Sequence, residues 1–157
     1  MSKFNLQIPN KCEVIAEIGI NHNGDINNAL KLIEEAKKAG CNSVKFQKRY
    51  PRECVPKKMW NIKRSTPWGE MTYIEYKEKM ELNKNDYKKI IKFCKKLKID
   101  WFASCWDLKS VDFMEELNIP YYKVASASLT HIDLLKKIKK TKKPVIISTG
   151  MSTFKQI

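Results

Sequence analysis

At 157 residues, 43% hydrophobic and 31% charged, the chain has the size and composition of one globular domain and is neither disordered nor fibrous. No apolar run nears the roughly 18 residues of a membrane span, and the opening "MSKFNLQIPNK" lacks the apolar stretch of a signal peptide. A cytoplasmic protein with no membrane partner is therefore expected. The formal charge of +14 is nearly all lysine, the arginines being Arg49, Arg52 and Arg64. The lysines recur along helical stretches such as "NDYKKIIKFCKKLK" and "LLKKIKKTKK", where solvated faces are expected. With no zinc-finger or RNA-binding signature beside them, no nucleic-acid partner is expected, although a positive field can draw in a small anionic substrate. Cys12, Cys41, Cys54, Cys94 and Cys105 form no CxxC pair, which argues against a disulfide framework or a zinc module.

The first element in chain order is "EVIAEIGINHNGD", an apolar strand pattern over 14–20 that carries Glu17 inside it. A carboxylate there is costly unless a partner or a reaction needs it. Next, "DINNALKLIEEAKKAG" puts Ile26, Ala29, Leu30, Ile33 and Ala36 on one helical face, with Asp25 as N-cap and Gly40 as stop. Further strands are predicted over 43–48, 100–106, 121–125 and 145–148. Helical spacing precedes the last three: Tyr87 to Leu97, Leu108 to Leu117, and Ile132 to Ile138. A long excursion, "RYPRECVPKKMWNIKRSTPWGEMTYIEYKEKMEL", follows the second strand. It reads as a functional βα loop, helical over 72–82. Alternating strands and helices, with strands that are nearly continuous apolar runs, predict parallel α/β structure covered on both faces.

The polar residues of these strands cluster at their C-terminal ends, where parallel α/β proteins bind ligands. Glu17 lies late in the first strand, Lys45 and Gln47 on one face of the second, and Ser104 at the end of the third. Lys123 and Ser126 end the fourth and Ser148 the fifth. Two lysines with serine hydroxyls suit an anion rich in acceptor oxygens, phosphate or carboxylate. Nearby cations would compensate Glu17 and keep it ready to take a proton. His22 reads as a hydrogen-bonded structural residue in preference to a base. Two histidines without HxH or HExxH spacing are weak evidence for a metal.

The segments "AEIGINHNGD", "AGCNSVKFQ", "TPWGEMTYIEYKEKMEL", "FASCWDLKSVDFMEELNIPYYKVAS" and "KKPVIISTGM" resemble, in order, the sialic acid synthase family. The resemblance implies a (β/α)8 barrel of TIM type, of which five strands and four to five helices are present. It also implies condensation of phosphoenolpyruvate with an N-acetylated amino sugar such as N-acetylmannosamine. Carbon three of phosphoenolpyruvate attacks the aldehyde carbon, water adds to carbon two, and phosphate leaves by C–O cleavage. Carried across by motif, Glu17 matches the acid/base carboxylate. Lys45, Lys123, Ser126 and Ser148 match groups holding phosphate and carboxylate, and Gln47 a position near the sugar. A divalent metal, Mn or Mg, is implied as Lewis acid, with histidine ligands on later strands that this chain lacks. The chain departs from the family pattern at Ser128, where an acidic residue is common, and at Cys105, where proline is common. The family is typically dimeric. Five strands predict a half barrel with two unpaired edges, a truncated form whose other half and antifreeze-like domain are absent. The alternative reading is a non-catalytic half barrel that binds an anion or a partner protein.

Overall fold

The computed structural model describes residues 12–157; the opening segment, read above as carrying no leader, lies outside them. The chain runs β1 (Ile15–Gly19), α1 (Ile26–Lys38), β2 (Ser43–Lys48) and the short α2 (Pro51–Cys54). The hairpin strands β3 (Lys63–Thr66) and β4 (Gly69–Thr72) follow, then α3 (Tyr73–Lys79), α4 (Lys84–Leu97) and β5 (Asp100–Cys105). It closes with α5 (Leu108–Glu116), β6 (Tyr122–Val124), α6 (Ile132–Lys140) and β7 (Val145–Ile147). Among the described residues no helix is long and apolar enough to cross a membrane.

The predicted cap Asp25 accepts from Asn27 N at 2.7 Å to open α1. At α4 the structure adds a reciprocal capping box of Asn83 and Asp86 that the sequence reading did not name. The stop of α1 falls at Ala39, one residue before Gly40, which takes φ +83° to turn the chain toward β2.

The main sheet has the order β1-β2-β5-β6-β7, and every pair is parallel. Strands therefore lie side by side in the order the chain makes them, with no reversal. Right-handed crossovers in such a sheet put all helices on one side, as in the wall of a (β/α)8 barrel. The core sits there. Val44 and Phe46 of β2, Trp101, Ala103 and Cys105 of β5, and Tyr122 and Val124 of β6 pack against Ile33, Ile90, Met114, Leu134 and Ile138 of the helices. Strand alternation sends Lys45, Gln47, Phe102, Ser104 and Lys123 to the opposite, open face. Lower on that face Phe102 and Tyr121 stack with ring centroids 4.3 Å apart.

Strands β2 and β5 are buried along nearly their whole length, as expected for strands covered on both faces, Lys45 and Ser104 included. The sequence reading needs one correction. The long excursion is more ordered than a loop with one helix. Thr66 Oγ1 donates to Gly69 O at 2.7 Å and accepts from Trp68 N, closing the β3–β4 hairpin, whose four-residue strands pair antiparallel. The strands "KRST" and "GEMT" are exposed and lack apolar alternation, so periodicity had no signal to offer. The helix predicted over 72–82 is confined to α3, with Thr72 as its cap.

Candidate functional site

The residues that pair across the strands also meet through their side chains. Glu17 is in register with Lys45, and Lys45 Nζ lies 2.8 Å from Glu17 Oε2. The same ammonium donates to Ser104 Oγ at 2.8 Å. Lys45 is 8% exposed, and two of its three donors are spent on Glu17 and Ser104. Glu17 is not buried: its side chain is 53% exposed. The β1–β2 register shifts between Glu17 and Gly19, just after the carboxylate. The cost of a carboxylate in an apolar strand is thus met by a lysine on one side and water on the other.

Lys123, one strand further, is in register with Ser104. Its ammonium donates to Val124 O at 2.8 Å and to the Ser148 hydroxyl. Burial holds its proton affinity below the ordinary lysine value, Lys45 adds repulsion, and Glu17 opposes both. Two ammonium groups thus share one carboxylate. Gln47 sits beside Glu17: a Cβ placed on Gly19, at φ +55°, would meet Glu17 Oε1 at 3.0 Å and Gln47 Nε2 at 3.2 Å. Ser126 lies in the turn after β6 and packs on Gly150, whose added Cβ would stand 3.8 Å from its hydroxyl.

Sequence reasoning named six site residues. Glu17 with Lys45 and Lys123 with Ser148 make direct contacts, the two pairs feel one another electrostatically, Gln47 adjoins Glu17, and Ser126 stands at the far end by Gly150. Ser104 was read only as a strand-end polar residue; its position opposite Gln47 and Lys123 in the ladder made it the natural acceptor for Lys45. Arg49 was missed altogether. It follows Gln47 by two residues, is 9% exposed, and its guanidinium donates to Gln47 Oε1.

His22 is 2% exposed; its Nδ1 accepts from Gly24 N at 3.0 Å and a ring N–H is bonded to the backbone of Gly19. Burial pushes it down from its ordinary 6.5 to about 4. It is a structural residue that holds the β1–α1 turn. Among the described residues no three His, Cys, Asp or Glu side chains converge on a point where they could hold a metal ion. The cysteines are free thiols, and burial pushes Cys94 up to about 12.

The chain resembles known proteins over most of its length. The model of the NeuB family matches residues 32–157. The N-acetylneuraminate-9-phosphate synthase of Drosophila melanogaster is 40% identical over 149 residues, covering 92% of this chain and 39% of that protein. The N,N'-diacetyllegionaminic acid synthase of Campylobacter jejuni is 37% identical over 94% of this chain and 45% of its own length. The solved N-acetylneuraminic acid synthetase of Leptospira borgpetersenii, in complex with citrate, superposes with a TM-score of 0.80 at 27% identity over 94% of this chain and 48% of that one. This chain therefore spans less than half the length of each of these three. It belongs to the NeuB family, the sialic acid synthases.

Proposed function

We propose that this chain is the phosphoenolpyruvate-binding portion of a nonulosonic acid synthase. The observation that carries the reading is the cluster of Lys45, Lys123 and Glu17, with Ser148 on the second lysine. One carboxylate for two ammonium groups leaves the site net positive, and the proton affinity of Lys123 is depressed first by its burial and then by repulsion from Lys45. An anion relieves that repulsion. Phosphoenolpyruvate offers phosphate and carboxylate oxygens for both lysines and for the hydroxyls of Ser126 and Ser148.

In the condensation, the π pair of phosphoenolpyruvate bonds carbon three to the aldehyde carbon of the amino sugar, whose carbonyl oxygen takes a proton and becomes a hydroxyl. Water then adds to the electron-poor carbon two, giving a proton to Glu17, and collapse of that carbon to a ketone breaks its bond to the phosphate oxygen and releases phosphate. Glu17 suits that step because it is half exposed, so water reaches it, and is fixed by Lys45 at 2.8 Å. Gln47 contacts the sugar. The names of the relatives support a nonulosonic acid product. The described residues do not supply a ligand set for the divalent metal that the resemblance implies, and the steps assigned above belong to side chains alone.

Isothermal titration of phosphoenolpyruvate into the chain tests the reading. One-to-one binding that weakens with added salt is expected. Lys45→Met and Lys123→Met should each weaken it by about 10–100-fold, the range for a lost charge-assisted hydrogen bond. Unchanged binding in both variants would overturn it.

A further inference from the structure

Arg49 is the least explained residue near the site. A buried guanidinium needs partners for five donors, and the contacts this one makes tie two parts of the fold together. One nitrogen donates to Gln47 Oε1, while Nε lies 3.3 Å from Glu81 Oε1, an ion-pair contact without hydrogen-bond geometry. The plane rests on Trp106, with 4.9 Å from the guanidinium carbon to the ring. Glu81 in turn accepts from Lys48 Nζ at 3.1 Å and from the backbone N–H of Arg49 at 3.3 Å. Glu81 thus anchors Arg49 from the end of the long excursion, and Trp106 anchors it from the end of β5.

The consequence falls on Gln47. The two ends of a carboxamide have nearly the same shape, and only hydrogen-bond partners decide which way it points. Arg49 is a donor and never an acceptor, so it takes the oxygen. The NH2 group is thereby turned the other way, where Nε2 stands 3.2 Å from the point above Gly19 that Glu17 Oε1 also approaches, at 3.0 Å. A flipped Gln47 would set donors against donors on one side and two acceptors facing one another on the other.

We propose that Arg49 is a positioning residue, which locks Gln47 as a hydrogen-bond donor beside Glu17. The site then takes an acceptor oxygen of the second substrate, a carbonyl or hydroxyl of the amino sugar, at that place. The substrate half of this inference rests on the synthase reading; the orientation of Gln47 does not. Lysine in place of Arg49 would keep the charge for Glu81 but lose the fork that serves Glu81 and Gln47 together.

Nuclear magnetic resonance of the 15N-labelled chain tests it. The Gln47 NH2 hydrogens should show stronger Overhauser contacts to the Gly19 α-hydrogens than to the Arg49 guanidinium; the reverse ranking overturns the proposal with no variant needed. In Arg49→Lys the Gln47 NH2 signals should broaden or double. The affinity for N-acetylmannosamine should drop about tenfold while that for phosphoenolpyruvate stays within about twofold. An equal loss for both ligands would put Arg49 in the anion site and overturn its positioning role, as would unchanged sugar affinity in a folded variant. Absence of phosphoenolpyruvate binding to the unaltered chain would overturn the synthase reading alone, and the Overhauser contacts would still decide the orientation of Gln47.

Discussion

Acidification should destabilise this chain through His22, and the structure gives the size of the effect. The imidazole is 2% exposed and uses Nδ1 to accept from Gly24 N. A second proton would have to sit at Nδ1, facing that N–H, in a site that burial already makes hostile to charge. Its folded value of about 4 lies below the ordinary 6.5. Stability from this group is therefore complete above pH 6.5 and is lost as pH falls toward 4. The whole interval corresponds to about 3.4 kcal/mol, of which about 1.3 kcal/mol is lost between pH 7.5 and 5.5. Glu81 works in the opposite sense. Burial raises its carboxyl above the ordinary value despite Lys48 and Arg49, so its contribution is present at low pH and lost as pH rises through the folded value. The two separate by comparison with His22→Asn, whose Oδ1 can accept from Gly24 N and does not titrate. Urea unfolding followed by tryptophan fluorescence should show the unaltered chain losing about 1.3 kcal/mol more than the variant between pH 7.5 and 5.5. Equal losses would refute the buried neutral imidazole and reopen a proton-transfer role for His22.

Gly24→Ala should cost about 3 kcal/mol in the same assay, because φ is +70° and the new Cβ would lie 2.1 Å from the backbone oxygen of Lys79; a loss under 1 kcal/mol would mean that α3 yields freely. Glu81→Gln should cost about 3 kcal/mol, since it leaves Lys48 and Arg49 as buried cations without their anion, and a neutral outcome would show that water reaches them. Glu17→Gln should leave phosphoenolpyruvate affinity within about fivefold, the weight of a half-exposed ion pair. Phosphate release in any preparation that turns over should fall by about 10²–10⁴; normal turnover would remove Glu17 from the reaction.

The parallel sheet and its helices were legible because their signals are local. Period-3.6 stripes, Asp25 as a cap, and apolar strand cores all point the same way. The cluster of Glu17, Lys45 and Lys123 was legible for a related reason. Strand ends in a parallel sheet share one edge, so residues far apart in sequence become neighbours as soon as the strand order is sequential. The exposure of Glu17 was not legible, because a carboxylate inside an apolar run reads as buried whether or not its side chain reaches solvent. Nor was the Arg49 network. Glu81 lies 32 residues beyond Arg49 and reaches it only through the path of the hairpin and α3, which periodicity does not record.

The most direct test of the account is a crystal structure of the chain grown with phosphoenolpyruvate. The account predicts phosphate and carboxylate oxygens within hydrogen-bond reach of Lys45 and Lys123, with a Glu17 oxygen about 3–3.5 Å from the water or carbon atom it serves. Phosphoenolpyruvate held by the lysines of α4 or α6, with the open face of the sheet empty of it, would contradict the account.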